Sequence, residues 1–315
     1  MKTKIVFFGS SKYVIPIIKV LQKNFDLSLV VTTEAPKHNL ALQGDALQSY
    51  PVVKYCVENK IPCLSVSSLF DPKVNDQLSN ARPPASSLAG EVGRVNCQIA
   101  VLADFGLFIP NEILNIFPKG IINIHPSLLP KYRGPTPVQT AILDGKKETG
   151  VSIIKLDQEI DHGPILGQEK EEILPLDTAQ SLYERLFRKG GEMLPNILNK
   201  YLNGSLSIIT QNHKHATFTK HLTRQNGFVD INKPPPPEVL KRMINAYFPW
   251  PGVWTRLHLP SARADGGQAK IIKFLPDQKI QVEGKKPMSY KDFKNGYPNL
   301  GKEILIKLGL IDKVK

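Results

Sequence analysis

Cysteine and tryptophan are scarce: the 315 residues include three cysteines, Cys56, Cys63 and Cys97, and two tryptophans. An odd number of cysteines without C-x-x-C spacing argues against a disulfide framework and suggests no zinc site, so no metal is expected. No apolar run approaches the roughly 18 to 20 residues that a membrane helix needs. The opening Met1-Lys2-Thr3-Lys4-Ile5-Val6-Phe7-Phe8-Gly9 turns polar too early for the core of a signal peptide. The expectation is a soluble, unexported, cytoplasmic chain with no membrane partner. Glycine is missing where a dinucleotide loop would need it: Gly9-Ser10-Ser11-Lys12-Tyr13 offers one glycine where the fingerprint has three, and no Walker-type phosphate loop occurs. NAD binding is discarded.

Acidic residues are also short, with 28 Asp and Glu facing 41 Lys and Arg, a net charge of +13. The excess is uneven. From Leu206 to the end there are 19 basic and 8 acidic residues, net +11, which leaves 22 against 20 for residues 1–205. A near-neutral front with a strongly basic tail implies that the tail meets a polyanion while the front does something else. Solubilising lysine on a small domain is the bland alternative.

What is present is ample apolar sequence, 41% of residues, enough for one large core or two ordinary ones. The front alternates strand and helix patterns. Ile5 to Phe8 is an apolar run ended by Gly9, Val14, Ile17, Ile18 and Leu21 recur at helical spacing, and Leu27 to Val31 resumes a strand. Helices over Pro51–Asn59 and Asn111–Ile116 alternate with strands at Gln98–Ala103, Ile121–Ile124, Val151–Ile154 and Ile165–Leu166. Runs this apolar imply an α/β fold whose parallel sheet is covered on both faces and binds its ligand at the carboxyl ends of the strands. Asp177 offers an N-cap to a long helix with Leu182, Leu186, Leu194, Ile197 and Leu198 on one side, which Gly190-Gly191 should weaken. Residues 203–215 are read as a linker between residues 1–202 and 216–315. Beyond it, a helix with Val239, Leu240, Met243, Ile244 and Tyr247 on its apolar face stops at Pro249, and short strands at Lys270–Phe274 and Lys279–Val282 suggest a small β-rich domain. Arg82 to Gly90 reads as a solvated loop.

The strongest local feature is Asn123-Ile124-His125-Pro126-Ser127-Leu128-Leu129-Pro130-Lys131-Tyr132-Arg133-Gly134. Alternate residues of a strand point the same way, so Asn123 and His125 share a face at its end. Leu156-Asp157-Gln158-Glu159-Ile160-Asp161-His162-Gly163-Pro164 is an acidic loop able to return an aspartate to that histidine. Taken singly, each residue has a structural explanation as plausible as a functional one.

Together, Asn-x-His-x-Ser-Leu-Leu-Pro-x-x-Arg-Gly, Glu148-Thr149-Gly150-Val151-Ser152-Ile153 and Leu156 to Leu166 resemble the signature of the formyltransferases that use 10-formyltetrahydrofolate. The match covers most of residues 1–202, including Phe8-Gly9-Ser10 and Phe105-Gly106-Leu107-Phe108-Ile109-Pro110. The resemblance implies a Rossmann-like formyltransferase domain with Asn123, His125 and Asp161 as its catalytic trio. It places the donor's pterin in an apolar cleft beside Phe105, Ile109 and the Leu156–Asp161 loop, with Ser127, Leu128, Leu129 and Pro130 as one wall. His162 stays a loop residue, and Arg133 either orients the acceptor or forms a structural ion pair.

The tail decides among amines. Phe218 to Asp230, Ile244 to Thr255 and Met288 to Phe293 with Gly296 resemble the C-terminal domain of methionyl-tRNA formyltransferases, an OB-like barrel that lies against the tRNA in that family. The segment from Val253 to Met288 is short for five strands, so a shortened barrel is expected. Trp250 and Trp254 are read as its core. The phosphate partners implied are Lys214, Lys220, Arg224, Lys285, Lys286 and Lys291, with Arg133 near the trio and Lys37 in the loop after the second strand. The leading reading is a monomeric enzyme that formylates initiator methionyl-tRNA. The alternative is a small-molecule N-formyltransferase acting on an amino sugar, and a third is a degenerate member that only binds RNA.

Overall fold

A computed structural model describes residues 2–34, 51–80, 97–258 and 269–312. Lys37 and the Arg82 to Gly90 segment lie outside these residues. The chain divides into two units. The first comprises Met1–Pro135, Thr149–Glu171 and Tyr183–Phe218, and the second Thr136–Glu148, Glu172–Leu182 and Thr219–Lys315.

In the first unit β1 (Lys4–Phe8), α1 (Ile15–Asn24), β2 (Asp26–Thr33), α2 (Pro51–Glu58), β3 (Cys63–Val66), α3 (Pro72–Asn80), β4 (Ile99–Leu102), α4 (Asn111–Leu114) and β5 (Ile121–His125) follow in turn. Next come α5 (Pro137–Leu143), β6 (Glu148–Lys155), β7 (Ile165–Glu172) and the long α6 (Ala179–Leu202). The seven strands form one sheet in the order β3-β2-β1-β4-β5-β6-β7. The first five pair in parallel, as their apolar sequences require, but β6 runs antiparallel to β5. The sheet is therefore mixed rather than parallel throughout. The reason is local: α5 has only seven residues and clusters with the second unit, so no crossover helix carries the chain back to the start of β5, and β6 enters at the end where β5 stops. On one face Phe8 packs edge-on against Phe105 at 5.4 Å and Phe117 at 6.2 Å, at the centre of a cluster that includes Val31, Ile113 and Ile121.

Two expectations about α6 change. Its cap is Thr178, whose hydroxyl accepts the Ser181 N–H at 3.1 Å, while the Asp177 carboxylate takes the Leu174 N–H and the Ser181 hydroxyl, both at 2.8 Å. Gly190-Gly191 does not interrupt the helix. At Gly190 an added Cβ would lie 2.5 Å from Ile124 Cγ2 and 3.1 Å from Val151 Cγ2, so glycine lets the helix lie close on the sheet. At Gly191 the nearest atom, Ile17 Cγ1, is 3.4 Å away, an ordinary contact. Gly190→Ala should therefore lose about 1–3 kcal/mol through overpacking. Gly191→Ala should be neutral or gain up to about 1 kcal/mol from helix propensity. Urea denaturation of the pair checks both signs.

Residues 203–215 do not run as a free connection. Ile209 exchanges both backbone hydrogen bonds with Ile165 at the start of β7, at 2.8 and 2.9 Å, and the segment clusters with the first unit.

The second unit holds α7 (Pro237–Ala246), β8 (Val253–Leu257), β9 (Lys270–Leu275), β10 (Lys279–Val282), β11 (Met288–Ser289), α8 (Tyr290–Gly296) and α9 (Pro298–Lys307). Among the described residues its sheet has four antiparallel strands, in the order β11-β10-β9-β8. The last two helices are absent from the sequence reading, although Gly301, Ile304, Leu305 and Leu308 are buried at helical spacing. Trp254 is half-buried, with its Nε1–H donating to the Arg224 carbonyl and the Arg224 guanidinium 5.1 Å above its ring. Trp250, expected in the core, is 56% exposed, because the turn between Pro249 and Pro251 aims it outward.

Candidate active site

Strand alternation places Asn123 and His125 on one face at the carboxyl end of β5. Across the sheet Asn123 is level with Leu102 of β4 and Ile154 of β6, and His125 with Ser152 of β6. Both polar side chains are buried, Asn123 to 7% and His125 to 5% exposure, so each needs a partner. The partner is Asp161. Asn123 Nδ2 donates to Asp161 Oδ1 at 3.2 Å, His125 Nδ1 lies 3.5 Å from Oδ2, and the Gly134 N–H donates to Oδ2 at 2.7 Å. The second imidazole nitrogen, Nε2, donates to the Tyr132 carbonyl at 2.9 Å. Tyr132 and Asp161 both hold left-handed backbone, φ 59° and 48°. Such conformations in residues other than glycine cost of the order of 1 kcal/mol and concentrate at functional sites.

The loop between β5 and Arg133 is pinned from below. Ser127 Oγ donates to the Lys131 carbonyl at 2.6 Å, Ser152 Oγ donates to the Ser127 carbonyl at 2.6 Å and accepts the Leu129 N–H at 3.1 Å, and Gln168 Nε2 donates to the Leu129 carbonyl at 3.0 Å. Ser127 and Leu129 are thereby turned inward, and Phe105 and Ile109 are buried too, whereas Leu128 and Pro130 are half-buried. Of the six residues expected to wall a folate cleft, Leu128 and Pro130 are partly exposed and the other four are buried. Leu102, Leu107 and Leu156, all half-buried, add apolar surface on the Phe8–Phe105 cluster.

Arg133 is not at the surface. It is 3% exposed, its Nε and Nη2 donate to Gln211 Oε1 at 3.3 and 2.7 Å, and Nη2 lies 2.8 Å from His213 Nδ1. A guanidinium so buried is occupied by protein and does not reach a phosphate. His162, read as a plain loop residue, has its Nδ1 2.6 Å from Asp157 Oδ2 and stacks on His213 with ring centroids 3.9 Å apart. Lys214, Lys220, Arg224, Lys285, Lys286 and Lys291 are exposed, and all but Lys214 belong to the second unit. Gln211 and His213 escaped the sequence reading because they sit in a polar stretch without periodicity. Among the described residues no group of three or more His, Cys, Asp or Glu is placed to hold a metal, and no helix is long and apolar enough to cross a membrane.

The family model described as formyl transferase matches residues 3–198. The chain is 35% identical over 255 residues to a methionyl-tRNA formyltransferase of Roseiflexus sp. strain RS-1, covering 81% of this chain and 73% of the relative. The chain belongs to the methionyl-tRNA formyltransferase family. A second family member, from Buchnera aphidicola subsp. Schizaphis graminum, is 31% identical over 310 residues, covering 90% of this chain and 93% of its own, so the likeness reaches through the second unit. Among solved structures a 4-N formyltransferase from Francisella tularensis superimposes with a TM-score of 0.62 at 16% identity, covering 88% of this chain and 98% of that one, which shows a shared fold. Asn123, His125 and Asp161 all lie inside the region that the family model matches.

Proposed function

We propose that the chain transfers a formyl group from 10-formyltetrahydrofolate to the α-amino group of initiator methionyl-tRNA, in the cytoplasm, for translation initiation. The observation that carries this reading is the convergence of Asn123, His125 and Gly134 on the Asp161 carboxylate. Formyl transfer needs an amine nitrogen to bond to the formyl carbon while the bond from that carbon to N10 of the donor breaks. Negative charge builds on the formyl oxygen, a proton leaves the attacking nitrogen, and another reaches the departing one.

The side chains supply these needs. One hydrogen of the Asn123 amide is engaged by Asp161, and the other is free to donate to the formyl oxygen without titrating. His125, protonated, counters the charge on that oxygen or hands a proton to N10, and Asp161 beside it stabilises the imidazolium. Asp161, directly or through a water, accepts the proton of the incoming amine. The flat faces of the donor's pterin suit the half-buried Leu102, level with Asn123, and the partly open Leu128 and Pro130. Lys220, Arg224, Lys285, Lys286 and Lys291, within a tail of net +11, are proposed to hold tRNA phosphates, joined by Lys214 and Lys37. Such contacts position the RNA without reading its sequence.

Substrate preference tests this reading against amino-sugar formylation. With one donor concentration, kcat/KM for methionyl-tRNA is expected to exceed that for a nucleotide-linked amino sugar by at least about 10³-fold, since remote binding energy is available only from the tRNA. Equal or reversed preference would move the chain to the small-molecule class.

A further inference from the structure

The geometry points to Gln211 as a positioning residue that sets the Asp161 carboxylate for proton transfer, an inference that rests on the formyl-transfer reading above. Gln211 is 4% exposed, and both ends of its amide are used. Nε2 donates to the Asp161 carbonyl at 2.9 Å and to the Gly163 carbonyl at 2.7 Å, while Oε1 accepts from Arg133 Nε and Nη2. A guanidinium only donates, so Arg133 fixes the amide with its oxygen toward Arg133 and its two hydrogens toward the loop. The two carbonyls held are that of Asp161 itself and that of the residue two positions on.

This grip falls where the backbone is left-handed. Asp161 has φ 48°, a conformation that the surrounding structure has to impose. Gly163 packs so tightly against the Lys155 backbone that a Cβ there would overlap its carbonyl oxygen. With the far side of the loop fixed in that way, rotation about Asp161 is the freedom left to its side chain. That side chain has to meet Asn123, His125 and Gly134 at once. Arg133 is itself anchored, by its N–H to the Thr217 carbonyl and by Nη2 beside His213. Arg133, Gln211 and the Asp161 backbone thus form a chain of hydrogen bonds that ends on the main-chain carbonyl of Asp161 and reaches the carboxylate only through that backbone.

The test is a double-mutant cycle on the full-length enzyme, with kcat and both KM values measured for wild type, Gln211→Glu, Gln211→Ala, Asp161→Asn and the two Gln211 variants in the Asp161→Asn background. Gln211→Glu is isosteric and keeps an oxygen for Arg133, but it replaces the NH2 that holds the loop with an oxygen that faces the Asp161 and Gly163 carbonyls, so the grip is lost in a variant that keeps the side chain's volume and the test does not depend on the alanine variant folding. In the wild-type background either Gln211 variant is expected to lower kcat on the order of 10- to 100-fold, the scale of an ångström-level misplacement, with both KM values within about threefold. In the Asp161→Asn background the same change should lower the remaining kcat by less than about twofold, because the effect runs through Asp161. Unchanged kcat in Gln211→Glu, or the same loss in both backgrounds, would overturn the assignment while leaving the function intact. Absence of formyl transfer by the wild type would instead overturn the function.

Discussion

Asn123→Ala, His125→Ala and Asp161→Ala should each remain folded and lose formyl transfer by at least about 10²-fold in kcat, the scale for removing one group that stabilises charge in a transition state. The fold should survive because the partners are not stranded. Without Asn123 or His125 the Asp161 carboxylate keeps the Gly134 N–H at 2.7 Å, and without Asp161 the imidazole keeps the Tyr132 carbonyl at 2.9 Å. The losses should not add. Asp161 touches both other members, so removing His125 from an Asp161→Ala enzyme should cost much less than removing it from the wild type. Single-turnover rates with saturating donor and methionyl-tRNA, alongside melting curves, separate chemistry from stability. Wild-type turnover in purified His125→Ala would refute the assignment.

The second large effect concerns the basic tail. Lys285 and Lys286 are exposed and adjacent, and reversing both in Lys285→Glu/Lys286→Glu should weaken tRNA binding without touching the trio. Each phosphate contact releases about 0.7 to 0.9 of a counterion, so losing two should flatten the log–log salt dependence by about 1.4 to 1.8 and weaken binding at 0.15 M salt roughly 10- to 30-fold. The change should appear in KM for methionyl-tRNA, with kcat at saturating tRNA and KM for the donor unchanged. A double variant with the wild-type salt slope would move the phosphate contacts elsewhere in the tail.

Much of this was legible in the sequence because two physical periods are strong here. Apolar strands at Ile5–Phe8, Gln98–Ala103 and Ile121–Ile124 and the stripe of α6 announce themselves through burial, and alternation alone puts Asn123 and His125 together. Their union with Asp161, 36 residues further on, was carried by the resemblance. Three features were invisible for definite reasons. The direction of β6 depends on where α5 packs, which no local pattern encodes. The roles of Gln211 and His213 depend on a polar segment folding back on β7, and polar residues look alike in a linker and in a buried network. The inward turn of Arg133 depends on Gln211 being there to receive it, whereas a cation in an exposed-looking loop reads as a surface charge. The Gly190-Gly191 pair misled for the opposite reason: helix propensity predicts weakness, and close packing on Ile124 overrides it.

The most direct test of the central claim is to incubate the full-length enzyme with 10-formyltetrahydrofolate and charged initiator methionyl-tRNA, release the amino acid by mild base, and quantify N-formylmethionine against tetrahydrofolate formed. Wild type is expected to give the two products in equal amounts, and Asp161→Ala neither above background. Tetrahydrofolate formed without N-formylmethionine would contradict the account, showing that the trio acts on the donor but passes the formyl group to water or to another amine.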